Sequence, residues 1–214
     1  MLYLIISSLL LSLSFFTHKL GFFVFIGFIP LFFALEYKSY IRSFFISFFV
    51  GFLFYIATLY WLYHVTFLGL LILSLYLAIY FGIFGVILNH LSRITRTTSP
   101  TTRYPLTVIL IPLIWVVLEY IQANLFTGFG WTLLGYTQYK NLNLIQIADI
   151  SSVYGVSFVV MTVNVALYRL FKNSFKEMII AIILVATVLI YGRVKISEDI
   201  KKDSIKISVI QSNI

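Results

Sequence analysis

Apolar residues in this chain come in long unbroken blocks, and polar residues gather in the short stretches between them. The blocks are Met1–Phe16, Leu20–Leu35, Phe44–Tyr63, Phe67–Leu91, Tyr104–Ile121, Val153–Leu170 and Met178–Gly192. A helix that is apolar all round is one surrounded by lipid or by protein, never by water. The pattern therefore predicts an all-α polytopic membrane protein, with seven transmembrane helices filling residues 1–194. The first two blocks are short: ~16 residues make a helix of roughly 24 Å against a hydrocarbon core of ~30 Å. They are expected to form a tight hairpin that thins the bilayer, with Pro30 bending its second arm. In the fourth block Ser74, Ala78 and Gly82 recur every four residues, a small-residue stripe that lets helices approach closely in lipid. Pro105 is tolerated in the first turn of the fifth helix, whereas Pro112 is expected to kink it.

Two stretches break this pattern. Phe126–Asp149 lies between the fifth and sixth blocks, yet it is too aromatic for a solvated connector. Phe126, Phe129, Trp131, Tyr136 and Tyr139 are threaded through Gly128, Gly130 and Gly135. Glycine opens turns that other residues resist, and Trp and Tyr favour the membrane–water boundary. A structured loop at the bilayer surface is the expectation. The carboxy-terminal tail divides into a charged linker, 195–204, and the run IKISVIQSNI over 205–214. That run alternates apolar and polar positions as a half-buried strand does. One strand has no partners for its backbone, so it reads as the orphan first strand of a further domain.

The composition agrees: 61% hydrophobic, 19% aromatic and 10% charged, against roughly 25% charged in soluble domains. Net charge is +8, and its placement matters more than its size. Lys38, Arg42, Arg93, Arg96, Arg103, Arg169, Lys172 and Lys176 occupy alternate connectors, and the other set holds only Lys19 and Lys140. The positive-inside rule then puts the amino terminus in the cytoplasm, with the 126–149 loop and the carboxy terminus outside. Five bases in the tail oppose that placement of the carboxy terminus. No basic stripe or RNA-binding motif accompanies the charge, which argues against nucleic acid.

Trp115-x3-Glu119, followed by FTGFGW, LLGYTQ, LIQIADISSVYGVSF and Asn164, resembles the membrane half of the apolipoprotein N-acyltransferases. The resemblance implies a bacterial inner-membrane enzyme. It moves an acyl chain from a phospholipid to the N-terminal diacylglyceryl-cysteine of a lipoprotein, without a cofactor. Two positions depart from the family: Gly130 stands where Pro is usual, and Gln122 where a basic residue is usual. The V-x-Q-x-N-I run of the tail matches the opening of the family's nitrilase-like domain, which carries its Glu, Lys and Cys. This chain has no cysteine, so no thiolate nucleophile comes from it. No catalytic residue is carried over, and the 214 residues alone are expected to be inactive.

The implied role is to anchor the catalytic domain and shape lipid access. Trp131, Tyr136, Gln138 and Glu119 are the candidates for substrate or lipid access. Asp149, Tyr154, Gly155 and Asn164 are the candidates for domain docking or helix packing. Each has a plainer reading beside it. Trp131 serves equally as a belt anchor, and Tyr136 and Gln138 as partners for loop backbone. Glu119, near a helix end, can snorkel to water, and Asp149 with Ser151 and Ser152 can cap the sixth helix. An interhelical hydrogen bond suits Asn164 better than a substrate contact. His18, His64 and His90 share no helix at metal-binding spacing, so no metal site is expected. Two other functions remain open: a small transporter, and a non-catalytic membrane scaffold from a split or decayed gene.

Overall fold

The computed structural model describes residues 1–97, 100–126 and 128–197, with the backbone alone over 95–97 and 100–106. Among the described residues eight α-helices follow one another: α1 (Leu2–Phe16), α2 (Ile29–Leu35), α3 (Tyr40–Thr58), α4 (Phe67–Thr97), α5 (Pro100–Asn124), α6 (Leu142–Ile145), α7 (Ala148–Phe171) and α8 (Lys176–Ser197). Short 3-10 turns at His18–Phe25, Tyr60–His64 and Leu134–Gln138 join them. Six segments among the described residues are long and apolar enough to cross a membrane: His18–Leu35, Tyr40–Thr58, Phe67–Ile94, Thr107–Asn124, Ala148–Phe171 and Lys176–Ser197. No strand occurs among the described residues, and the expected strand at 205–214 lies outside them, as does most of the expected linker. Its first residues, 195–197, are the end of α8.

The polarity of the helices is inverted relative to a soluble bundle. α1 buries Ser7, Ser8, Ser12 and Ser14 and exposes Leu2, Ile5 and Leu9. α8 buries Glu177 and exposes Ile179, Ile182, Ile183 and Ile190. Such surfaces are stable only against lipid, where small polar residues favour the helix–helix contact. The core is aromatic. Trp115 stands edge-on to Phe28, Phe81 and Phe84, with centroids 4.7, 4.9 and 4.9 Å away. The small-residue stripe of α4 faces α3: Ser74 and Ala78 are fully buried, and a Cβ on Gly82 would strike the Phe44 ring at 2.5 Å.

The second apolar block is not one helix. It runs as a 3-10 turn to Phe25, breaks at Ile26–Phe28, and resumes as the seven-residue α2. Pro30 lies in the first turn of α2, so it starts that helix rather than bending a longer one. Asn164 of α7 fills the break: its Oδ1 accepts the Phe28 N–H at 2.9 Å and its Nδ2 donates to Val24 O at 2.8 Å. A side-chain amide thus supplies both partners that an interrupted helix loses. The third block also stops early, at Thr58, and its aromatic end forms the Tyr60–His64 turn.

The two ends of the bundle differ. At one end Phe16 meets Tyr60 and Trp61 meets Trp131, beside the long loop between α5 and α7. At the other, Lys172 holds both oxygens of Glu36 at 2.7 and 2.8 Å, and Arg93 donates to Lys38 O.

Candidate functional site

The loop end is built from the last turns of α5. Trp115, Glu119 and Gln122 follow one another at helical spacing, so they share a face directed into the bundle. Glu119 is 3% exposed. Its Oε1 accepts both the Trp115 indole N–H at 3.0 Å and the Leu134 backbone N–H at 2.7 Å. This corrects the snorkelling reading: the carboxylate turns inward and never reaches water. Oε2 has no partner of good hydrogen-bond geometry, although the Ser157 hydroxyl interacts with the same carboxylate. A buried acid stays only where fixed donors compensate its lost hydration.

Three further side chains, Gln122, Ser157 and Gln138, sew the loop down. Gln122 Oε1 accepts the Tyr55 hydroxyl at 2.8 Å, while its Nε2 donates to Phe129 O at 3.2 Å. Ser157 of α7 accepts the Gly135 N–H at 2.9 Å. Gln138 Nε2 donates to Gly21 O at 2.9 Å, tying the loop to the first 3-10 turn. Thr137 O sits so near Gly21 that a Cβ there would approach within 2.6 Å. Gln138 is thus buried and satisfies backbone inside the protein. Gln122 explains its own departure from the family, because an amide both donates and accepts where a base would only donate. At Gly130 an added Cβ would meet only Ala123 Cβ, at 3.4 Å, so the space itself does not call for glycine.

The pinned backbone leaves an aromatic face outside. Trp131 is 67% exposed, stacked on Trp61 at 5.4 Å and 26°. Tyr136 and Tyr139 are exposed on the same loop, with Lys140 Nζ 5.6 Å from the Tyr139 ring. The loop is thus both structured and two-faced: buried Leu133, Leu134 and Leu144 inward, Trp131 and the tyrosines outward.

The remaining candidates lie where α7 begins. Asp149 does not cap α7, which has no side-chain cap; its Oδ2 accepts the Tyr191 hydroxyl of α8 at 2.6 Å. Ser152 leaves the helical conformation (φ 55°, ψ −168°), so the regular helix starts at Val153. Tyr154 stands edge-on to Tyr120 of α5 at 5.6 Å. Around Gly155 the nearest atoms belong to Ser151 and Ile147 of the preceding turn, not to another helix. Asn164 makes the interhelical bonds described above, far from the aromatic face. A Cβ on Gly192 of α8 would overlap the Asn143 carbonyl, so α6 rests directly on the end of α8.

Sequence reasoning missed Ser157, Tyr55 and Gly21 as members of this site. A serine in an apolar helix and a tyrosine in an aromatic one carry no mark of a partner distant in sequence. Trp61 stands among the aromatics that end the third block, and only the fold stacks it on Trp131.

The family model for the N-terminal domain of apolipoprotein N-acyltransferase matches residues 7–166, which include α5, the whole loop and most of α7. The chain belongs to this family. A protein from Geobacter metallireducens named apolipoprotein N-acyltransferase is 34% identical over 98% of this chain and 42% of its own length. One of the same name from Chlorobaculum tepidum is 28% identical over 88% of the chain and 36% of its own length. That from Rickettsia prowazekii is 31% identical over 48% and 22%. The chain therefore spans less than half the length of these relatives. It corresponds to the family's N-terminal domain, in a multi-pass bacterial membrane protein.

Proposed function

We propose that this chain is the membrane platform of an apolipoprotein N-acyltransferase. It holds a phospholipid acyl donor and a diacylated apolipoprotein acceptor against the aromatic loop, beneath the nitrilase-like domain that performs the transfer. The observation carrying this reading is the two-faced loop. Buried side chains fix its backbone at Leu134 and Gly135, the Gln138 side chain ties it to Gly21, and its exposed Trp131 and Tyr136 form an apolar surface with polar tips. Aromatics of this kind suit the acyl–headgroup boundary. The contacts of α6 and Asp149 with Gly192 and Tyr191 hold the far end of the same loop against the end of α8.

In this reading Trp131 and Tyr136 guide lipid, and Glu119 and Gln138 hold the loop that carries them. Asp149 and Tyr154 fix the entry to α7, where Gly155 keeps the turn narrow, and Asn164 stabilises the broken second span. α1 crosses as a short seventh span of roughly 22 Å, with the amino terminus cytoplasmic and the loop periplasmic in the inner membrane. The nucleophile comes from outside these residues, since they contain no cysteine.

The test is acyl transfer from phospholipid to a diacylated lipopeptide. The full-length protein is expected to transfer, and residues 1–214 alone to retain phospholipid without transferring. Transfer by these residues alone overturns the assignment of roles.

A further inference from the structure

At the end of the bundle opposite the loop, a cleft of about 230 Å³ opens between α2, α4, α5 and α7. A second of about 260 Å³ shares Leu35, Tyr37, Asn89 and Ser92 with it. The floor of the first is apolar, made by Phe32, Leu35, Leu88, Ile111 and Val165. Their rim carries Lys38, Arg93, Arg169 and Lys172; Lys172 is paired with Glu36 and Arg169 with the buried Glu177 at 2.9 Å, so the excess charge is that of Lys38 and Arg93. Arg93 is held in place by Asn89 Oδ1 at 2.8 Å, by Lys38 O at 3.2 Å and by the Tyr40 ring at 4.4 Å.

We propose that this cleft binds an anionic phospholipid, distinct from the acyl donor at the loop end. The rim supplies the excess positive charge that a phosphodiester needs, with a fixed guanidinium among its donors. The floor excludes a purely water-soluble phosphate as the best ligand, because burying an acyl chain there gains free energy that a free ion forgoes. Each cavity is smaller than the roughly 300–1,000 Å³ that enclose a whole drug-sized ligand. The site therefore takes the headgroup and the first methylenes and leaves the rest of the chain in the bilayer. Bound there, the lipid bridges four helices at the end where the connectors carry most of the positive charge.

The experiment is native mass spectrometry of the full-length protein in detergent, with phosphatidylglycerol and phosphatidylcholine offered at equal concentration. Phosphatidylglycerol is expected to be retained preferentially. Lys38→Gln is expected to lower its retention about fivefold. Ile111→Trp, which fills the floor and leaves every charge, is expected to abolish the preference over phosphatidylcholine. The signal is the phosphatidylglycerol retained in excess of phosphatidylcholine, in which phospholipid held without regard to charge at the loop end cancels, and this separates the cleft from the platform proposed above. Equal retention of the two lipids overturns the proposal, as does retention unaffected by whichever of the two cleft variants folds. Full competition by glycerol phosphate at lipid concentrations also overturns it, since the site is then one for soluble phosphate.

Discussion

Glu119 of α5 and Leu134 of the following loop are joined by a 2.7 Å hydrogen bond from backbone amide to carboxylate, sealed inside the bundle. One buried acid thereby decides where a glycine-rich, aromatic segment lies. Replacing it with leucine leaves the Leu134 N–H and the Trp115 indole N–H buried without an acceptor, at about 1–3 kcal/mol each. Glu119→Leu is expected to lower the thermal unfolding midpoint in detergent and to open the chain to trypsin at Lys140. Glu119→Gln keeps an acceptor oxygen and is expected to show much the smaller effect in both measurements.

Asn164 acts on the broken second span in the same way. Asn164→Leu strips partners from Phe28 N–H and Val24 O at once. Interhelical hydrogen bonds in membranes average only ~0.6 kcal/mol, so a pair is expected to cost ~1–3 kcal/mol once the unpaired groups are counted. Amide exchange at 26–28 is expected to accelerate more in this variant than elsewhere in the bundle. Uniform acceleration would show instead that the break is held by its apolar neighbours.

Gly192 marks the junction of loop and last helix. A methyl group there overlaps the Asn143 carbonyl, so Gly192→Ala is expected to lift α6 from α8. In the full-length protein this should reduce acyl transfer while leaving phospholipid retention intact. A fully active Gly192→Ala enzyme would remove the junction from the account of function.

Trp131 is exposed and makes no hydrogen bond among the described residues, so its loss should spare folding. Trp131→Ala is expected to leave the unfolding midpoint within about 0.5 kcal/mol of the parent. A clear loss of acyl transfer is expected alongside it, and a smaller one for Trp61→Ala, which removes the ring stacked beneath. Wild-type transfer in both variants would reduce these tryptophans to membrane anchors.

Much of this was written in the hydropathy of the chain. The blocks gave the long helices, and the Gly and Trp content of 126–149 marked a structured loop before any fold was known. The break at Ile26–Phe28 was hidden because 3-10 turns and α-helices bury the same phenylalanines, and hydropathy cannot separate them. The inward turn of Glu119 was hidden for a different reason. A carboxylate near a helix end can snorkel or bury, and the choice rests on an amide fifteen positions away. The partner of Asp149 was equally remote, on Tyr191 of α8.

The most direct test of the platform is where its exposed face lies. The chain has no cysteine, so a single Tyr139→Cys or Lys172→Cys gives a probe free of background. With a membrane-impermeant thiol reagent on intact spheroplasts, Tyr139→Cys is expected to label from outside, and Lys172→Cys only after permeabilisation. The reverse pattern would put the aromatic face in the cytoplasm and contradict the platform assigned to it.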